Sequence, residues 1–164
     1  MDLYIVRHAW SEERDSSRWP DDGLRPLTDA GKKRFAEVAQ KLVRRGLAPQ
    51  MIASSPLVRC VQTAEILAAA AGGSPEVVYL DELAPGSDLD GLLKWTVRQS
   101  RQVDRVAWVG HEPDVGQLIA ALIGQQEAQI RVAKGGAAAI RFDERPAEGS
   151  GELQWLVTAK ILGC

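Results

Sequence analysis

His8 and His111 are the only two histidines in the chain, and each follows a short apolar run, Leu3 to Val6 and Val106 to Val109, that reads as a β-strand. In open α/β sheets ligands bind beyond the carboxyl ends of the strands, so both imidazoles belong at that edge. A lone histidine after a strand is commonly structural, but these two have company. Arg7 directly precedes His8, and Arg59 falls in the first turn of a helix opened by Ser54-Ser55-Pro56, where free backbone N–H groups already favour an anion. Two guanidiniums, a helix N-terminus and two imidazoles suit a phosphoryl group.

These residues need a scaffold, and the hydrophobic pattern supplies one. Phe35, Val38, Ala39, Leu42 and Val43 repeat at helical spacing within 29–45, with Thr28 as N-cap and Gly46 as the left-handed stop. Met51 to Ala53 predicts a second strand, followed by a helix from Pro56 to about Ala71 with Ser55 as cap and Gly72-Gly73 as terminator. Val77 to Tyr79 is the third strand, and Ser87 with Asp90 resembles a capping box opening the next helix. After the fourth strand, Pro113 begins a helix that uses Val115, Leu118, Ile119, Leu122 and Ile123 and ends at Gly124. Ala137 to Phe142 and Leu153 to Val157 read as a pair of antiparallel strands. Strands alternating with helices define the α/β class.

Composition narrows the function classes. A chain of 164 residues, 45% hydrophobic and 26% charged, predicts one globular domain spanning 1–164. Its net charge of -2 offers no global basic field for nucleic acid or an anionic membrane. No apolar run approaches a membrane span, and Met1-Asp2-Leu3-Tyr4 lacks the order of a signal peptide, so a cytoplasmic location is expected. Cys60 and Cys164 form no metal-spaced pair and read as bystanders. Two histidines without a clear carboxylate ligand set make poor metal spacing, and no cofactor or metal is expected.

Taken together, Val6-Arg7-His8-Ala9, Arg25-Pro26-Leu27-Thr28-Asp29-Ala30-Gly31, the segment Ser54-Ser55-Pro56-Leu57-Val58-Arg59-Cys60-Val61-Gln62-Thr63-Ala64 and Val109-Gly110-His111-Glu112-Pro113 resemble the ordered signatures of the histidine phosphatase superfamily, which includes the phosphoglycerate mutases. Within it the chain is most similar to the SixA-like phosphohistidine phosphatases, small members without a lid insertion. Glu82-Leu83-Ala84-Pro85-Gly86 and Lys134-Gly135-Gly136 fit that branch. The resemblance implies a three-layer α/β/α, phosphoglycerate mutase-like fold with a mainly parallel sheet whose first and fourth strands are neighbours. It also implies that His8 is the nucleophile, that Arg7 and Arg59 bind phosphoryl oxygens, and that His111 is the second imidazole of the phosphate pocket. Ala9 departs from the usual glycine after the nucleophile.

Those roles agree with elementary chemistry. A neutral imidazole attacks phosphorus in line once fixed positive charge, from two arginines and a protonated His111, offsets the repulsion of the phosphoryl oxygens. Glu82, Glu112 and Asp114 lie near the expected edge. Glu82 most resembles the superfamily's acid position and is the candidate proton donor, whereas Glu112 fits the first turn of the following helix. The polar loop from Trp10 to Leu24 is expected to overhang the site, with Trp10 and Trp19 as candidate substrate contacts and Lys134 at the rim. The implied substrate is a phosphohistidine-bearing protein such as a phosphotransfer domain in a signalling relay; the alternative is a small phosphorylated molecule hydrolysed by a phosphomonoesterase of the same superfamily.

Overall fold

The computed structural model describes residues 1–164. Its strands are β1 (Asp2–Arg7), β2 (Met51–Ser54), β3 (Glu76–Tyr79), β4 (Arg105–Gly110), β5 (Ala137–Arg141) and β6 (Glu152–Val157). They form one six-stranded sheet in the order β3-β2-β4-β1-β5-β6. The β2–β3, β2–β4 and β1–β4 pairs are parallel, while β1–β5 and β5–β6 are antiparallel. The helices are α1 (Asp29–Arg44), α2 (Val58–Ala71), α3 (Leu89–Gln99) and α4 (Asp114–Leu122). None is long and apolar enough to cross a membrane.

The central strands are apolar on both faces because helices cover both. In β1, Tyr4 and Val6 join Phe35, Val38 and Leu42 of α1 and Ala64 and Leu67 of α2 in one core. Leu3 and Ile5 turn to the other side, where they share a core with Leu92 and Trp95 of α3 and Leu118 and Ile119 of α4. The result is a three-layer α/β/α arrangement, as the resemblance implies. Trp108 of β4 is fully buried in the second core, and its indole N–H donates to Thr96 Oγ1 at 3.1 Å. Truncation to alanine there would cost about 3–5 kcal/mol.

Local signals explain most boundaries. Thr28 caps α1 by accepting the Gly31 N–H at 2.9 Å, and Gly46 takes φ 99° beyond its end. Two helix starts differ from the sequence reading. Helix α2 begins at Val58, not Pro56, with no side-chain cap at Leu57; the Ser55 hydroxyl accepts the Leu57 N–H at 3.4 Å in the turn before it and lies 2.9 Å from His111 Nε2. Helix α3 is capped by Asp88, which accepts the Gly91 N–H at 3.1 Å, and not by Ser87. A carboxylate at that place satisfies the free N–H and complements the helix dipole better than a hydroxyl.

Candidate active site

Register alone brings the two histidines together. Arg7 of β1 is paired with Gly110 of β4, so the next residue on each parallel strand emerges at the same sheet edge. The His8 N–H donates to the Gly110 carbonyl at 3.0 Å. The two rings then lie with centroids 5.4 Å apart and planes inclined by 58°. His8 Nδ1 is 2.7 Å from the Ala9 carbonyl oxygen. A carbonyl only accepts, so Nδ1 carries the hydrogen of the neutral ring and Nε2 keeps a lone pair.

Burial pushes His8 down to about 3, with His111, Arg59 and Arg7 acting in the same direction against the Ala9 hydrogen bond. Burial, then Arg59, lowers His111 to about 4. The expectation of a protonated His111 is therefore corrected for the unliganded pocket: both rings are neutral at pH 7, since charging them would cost desolvation beside two guanidiniums. A bound dianion reverses that balance and favours proton uptake by His111.

Both predicted arginines face one cavity of about 480 Å³ with both histidines. Arg59 is 3% exposed; its Nη1 donates to the Asp22 carbonyl at 2.8 Å and its Nη2 lies 3.2 Å from Asp22 Oδ2. Arg7 Nη1 donates to the Val132 carbonyl at 2.8 Å. Each arginine keeps a buried Nε–H with no hydrogen-bond partner. Two guanidiniums lining one cavity with two imidazoles make a place for acceptor oxygens.

Three supporting residues carried no assigned role in the sequence reading. Arg25 also lines the cavity, and its guanidinium bonds Ser11 Oγ at 2.6 Å, the Glu12 carbonyl at 2.8 Å and Asp22 Oδ1 at 2.8 Å. Asp22 thus holds Arg25 and Arg59 side by side, and the hydrogen bond from Arg25 leads the effects that keep its carboxyl down at about 2. Ser55 Oγ lies 2.9 Å from His111 Nε2 and fixes that ring. The buried Arg25 inside the quoted Arg25-Pro26-Leu27-Thr28 segment was the one available signal; Asp22 and Ser55 read only as loop and cap.

Beneath the site, Ala9 N–H donates to Thr63 Oγ1 at 3.0 Å, and Thr63 donates to the Arg59 carbonyl at 2.7 Å. The extra methyl of Ala9 is fully buried in the first core and leaves this link intact. Cys60 Sγ sits 3.4 Å from His111 Nε2, and burial pushes the thiol up to about 12, so it packs the ring as a neutral group. Cys164 is far along the chain at a half-buried position.

The remaining candidates separate clearly. Glu82 does not line the cavity; its Cγ lies 2.8 Å from where a β-carbon on Gly91 would stand, over the start of α3. Its neighbours Pro85 and Gly86 do reach the rim, as do Glu112 and Asp114. Glu112 precedes α4 and accepts the Val132 N–H at 2.6 Å, while burial raises its carboxyl against the pull of that bond and of Arg7. Asp114 accepts the Gly86 N–H at 3.0 Å. Of the loop, Ser11, Glu12, Glu13 and Arg14 line the cavity, and Lys134 stands at its rim, but Trp10 and Trp19 do not line it. Trp10 packs on the first core beneath Arg34, whose guanidinium carbon is 4.0 Å from the ring centroid. No group of three or more His, Cys, Asp or Glu side chains is arranged to hold a metal ion.

The family model of the histidine phosphatase superfamily (branch 1) matches residues 3–138. The chain belongs to the histidine phosphatase superfamily. This superfamily member is 39% identical over 143 residues to an uncharacterized protein of Picosynechococcus sp., covering 86% of this chain and 85% of that one. Its fold is similar to that of the protein histidine phosphatase SixA complexed with tungstate, with a TM-score of 0.85, 24% identity and 99% of each chain covered. A phosphoserine phosphatase from Entamoeba histolytica, in complex with phosphoserine, matches at a TM-score of 0.64 and 16% identity over 97% of this chain and 98% of that one.

Proposed function

We propose that the protein is a phosphohistidine phosphatase that acts through a phosphoenzyme on His8 and serves a histidine-phosphorylated protein, such as a phosphotransfer domain of a signalling relay. The observation that carries this reading is the single cavity lined by His8, His111 and the guanidinium side chains of Arg7 and Arg59. Phosphoryl oxygens can accept from these guanidiniums, and the neutral Nε2 of His8 attacks phosphorus from beside them. A P–N bond forms to His8 as the P–N bond of the substrate breaks, and the departing imidazole, protonated beforehand on its other ring nitrogen, leaves neutral. Water then attacks the phosphoenzyme, releasing inorganic phosphate and restoring His8.

Two further points support a protein substrate. Rim residues Glu13, Arg14, Pro85, Pro113 and Lys134 are exposed, so the pocket opens directly on the surface and admits a side chain borne by another protein. The similar SixA structure holds tungstate, a tetrahedral oxyanion of the kind this pocket's donors suit. The second reading is a small-molecule phosphomonoesterase, favoured by the shared fold of the phosphoserine phosphatase. Phosphate release from phosphohistidine, phosphoserine and small phosphate esters decides between them: a higher kcat/KM for phosphohistidine is expected, and a higher value for phosphoserine overturns the proposal.

A further inference from the structure

A second groove, of about 410 Å³, adjoins the catalytic cavity and shares Arg7 and Lys134 with it. Its charged lining is wholly basic: besides those two it has Arg34, Arg131 and Lys160, over a floor of Trp10 and small alanine side chains. Arg34, Arg131, Lys134 and Lys160 are all exposed, and none takes part in an ion pair. Glu112, on the catalytic side, feels the charge of both Arg7 and Arg131, and Arg34 Nη2 donates to the Cys164 carbonyl at 2.9 Å. The loop after β1 contributes a mixed stretch of rim to the catalytic cavity, with Glu12 and Glu13 beside Arg14. A chain with a net charge of -2 therefore concentrates unpaired cations on one flank of its site.

We propose that this groove docks an acidic segment of the phosphoprotein substrate, with Asp and Glu side chains lying along Arg34, Arg131 and Lys160 while the phosphohistidine enters between His8 and His111. The proposal rests on the phosphohistidine reading above. A second phosphate of a small molecule is the other anion that could lie there, but the groove is built differently from a phosphate site. In the catalytic cavity Arg25 and Arg59 are buried and braced by Asp22 and Ser11, and the half-buried Arg7 is held by the Val132 carbonyl. Arg131, Lys134 and Lys160 stand in solvent without such bracing, which suits spread carboxylates and electrostatic steering more than tight oxyanion capture.

The experiment compares two phosphohistidine peptides, one flanked by Asp and Glu and one by Asn and Gln, with phosphoramidate as a substrate that cannot reach the groove. The wild type is expected to favour the acidic peptide about tenfold in kcat/KM, through KM, and to lose that preference as salt is raised. The double variant Arg131→Gln/Lys160→Gln should erase the preference and hydrolyse phosphoramidate within about twofold of wild type. Equal kcat/KM for the two peptides in the wild type, or equal losses on phosphoramidate and acidic peptide in the variant, overturns the proposal. Binding of the same two sequences carrying phosphoserine, read by fluorescence anisotropy, reports on the groove without turnover. Tighter binding of the acidic sequence, abolished in the variant, supports the groove even where phosphohistidine is not hydrolysed, which would overturn only the phosphohistidine reading. Dependence of a bisphosphorylated small molecule, but not of the acidic peptide, on Arg131 and Lys160 assigns the groove to a second phosphate and overturns the protein partner.

Discussion

The rings of His8 and His111 face each other across 5.4 Å, and both are neutral, held at about 3 and about 4 by burial and by the adjoining guanidiniums. In the unfolded chain each would titrate near 6.5. Between these values the unfolded state binds more protons than the folded one, so stability rises with pH across that window. It is complete above about pH 6.5 and falls as the pH drops toward 4, by up to about 1.4 kcal/mol per pH unit for each histidine. Asp22, held at about 2, adds a loss of the same sign at still lower pH. Urea denaturation at pH 7, 6 and 5 should show the decline, and a His8→Asn/His111→Asn variant should show a flatter one. An equal slope in the two proteins would contradict the neutral pair.

Substituting the nucleophile gives the sharpest chemical test. His8→Ala should drop turnover to below about 0.1% of wild type, because the other neutral imidazole of the cavity, His111, has its Nε2 engaged 2.9 Å from Ser55 Oγ, whereas His8 keeps a free Nε2 lone pair. Wild-type enzyme quenched during turnover should carry an acid-labile, base-stable phosphoryl label that the variant lacks. Label recovered at another residue would displace His8 from the role.

Removal of Arg59 should be far more damaging than removal of Lys134. The Arg59 guanidinium is buried, braced by Asp22 and linked through Thr63 to the backbone that follows β1, whereas Lys134 is an exposed point charge on the rim. Arg59→Ala is expected to lower kcat/KM by about 10²- to 10³-fold, and Lys134→Ala by less than about tenfold. Steady-state kinetics on one substrate, with inorganic phosphate as competing ligand, measures both. Similar small effects would remove Arg59 from phosphoryl binding.

The parts of this site that were legible in the sequence are those fixed by one strand and the residue after it. Arg7, His8 and His111 follow apolar runs directly, and a parallel pairing of those runs leaves them nowhere else to go. Arg59 was legible because α2 starts beside β2. What stayed hidden depends on loops closing over long sequence distances. Asp22 reaches Arg59 only because the loop after β1 folds back, and Ser55 turns to His111 because β2 lies beside β4. A serine before a proline looks identical whether it caps a helix or orients an imidazole. Glu82 is the candidate acid by resemblance to the superfamily's acid position, but side-chain direction, which chain position does not encode, brings Glu112 and not Glu82 to the cavity.

That reversal gives the last test, which concerns the leaving group. Expelling serine as an alkoxide needs an acid to protonate it, while an imidazole departs readily once protonated near neutral pH. Glu112 is the carboxyl placed for such help: it lines the cavity, and burial raises its affinity for a proton above that of a free carboxylate. Glu82 lies outside the cavity, over α3. Acid assistance is worth about 10²- to 10⁴-fold, or about 3 to 5 kcal/mol of barrier. Glu112→Gln should therefore depress phosphoserine hydrolysis by at least about 10²-fold while slowing phosphohistidine hydrolysis by less than about tenfold. The carboxamide keeps an oxygen for the Val132 N–H, so the loop that carries Val132 should hold its place. Glu82→Gln should change neither rate by more than about twofold, as expected of a surface substitution away from the chemistry. Measuring kcat/KM for both substrates in the three proteins separates the effects. Equal losses on both substrates in Glu112→Gln would assign Glu112 to holding Arg7 and Val132 instead, and a selective esterase loss in Glu82→Gln would return the acid to that residue.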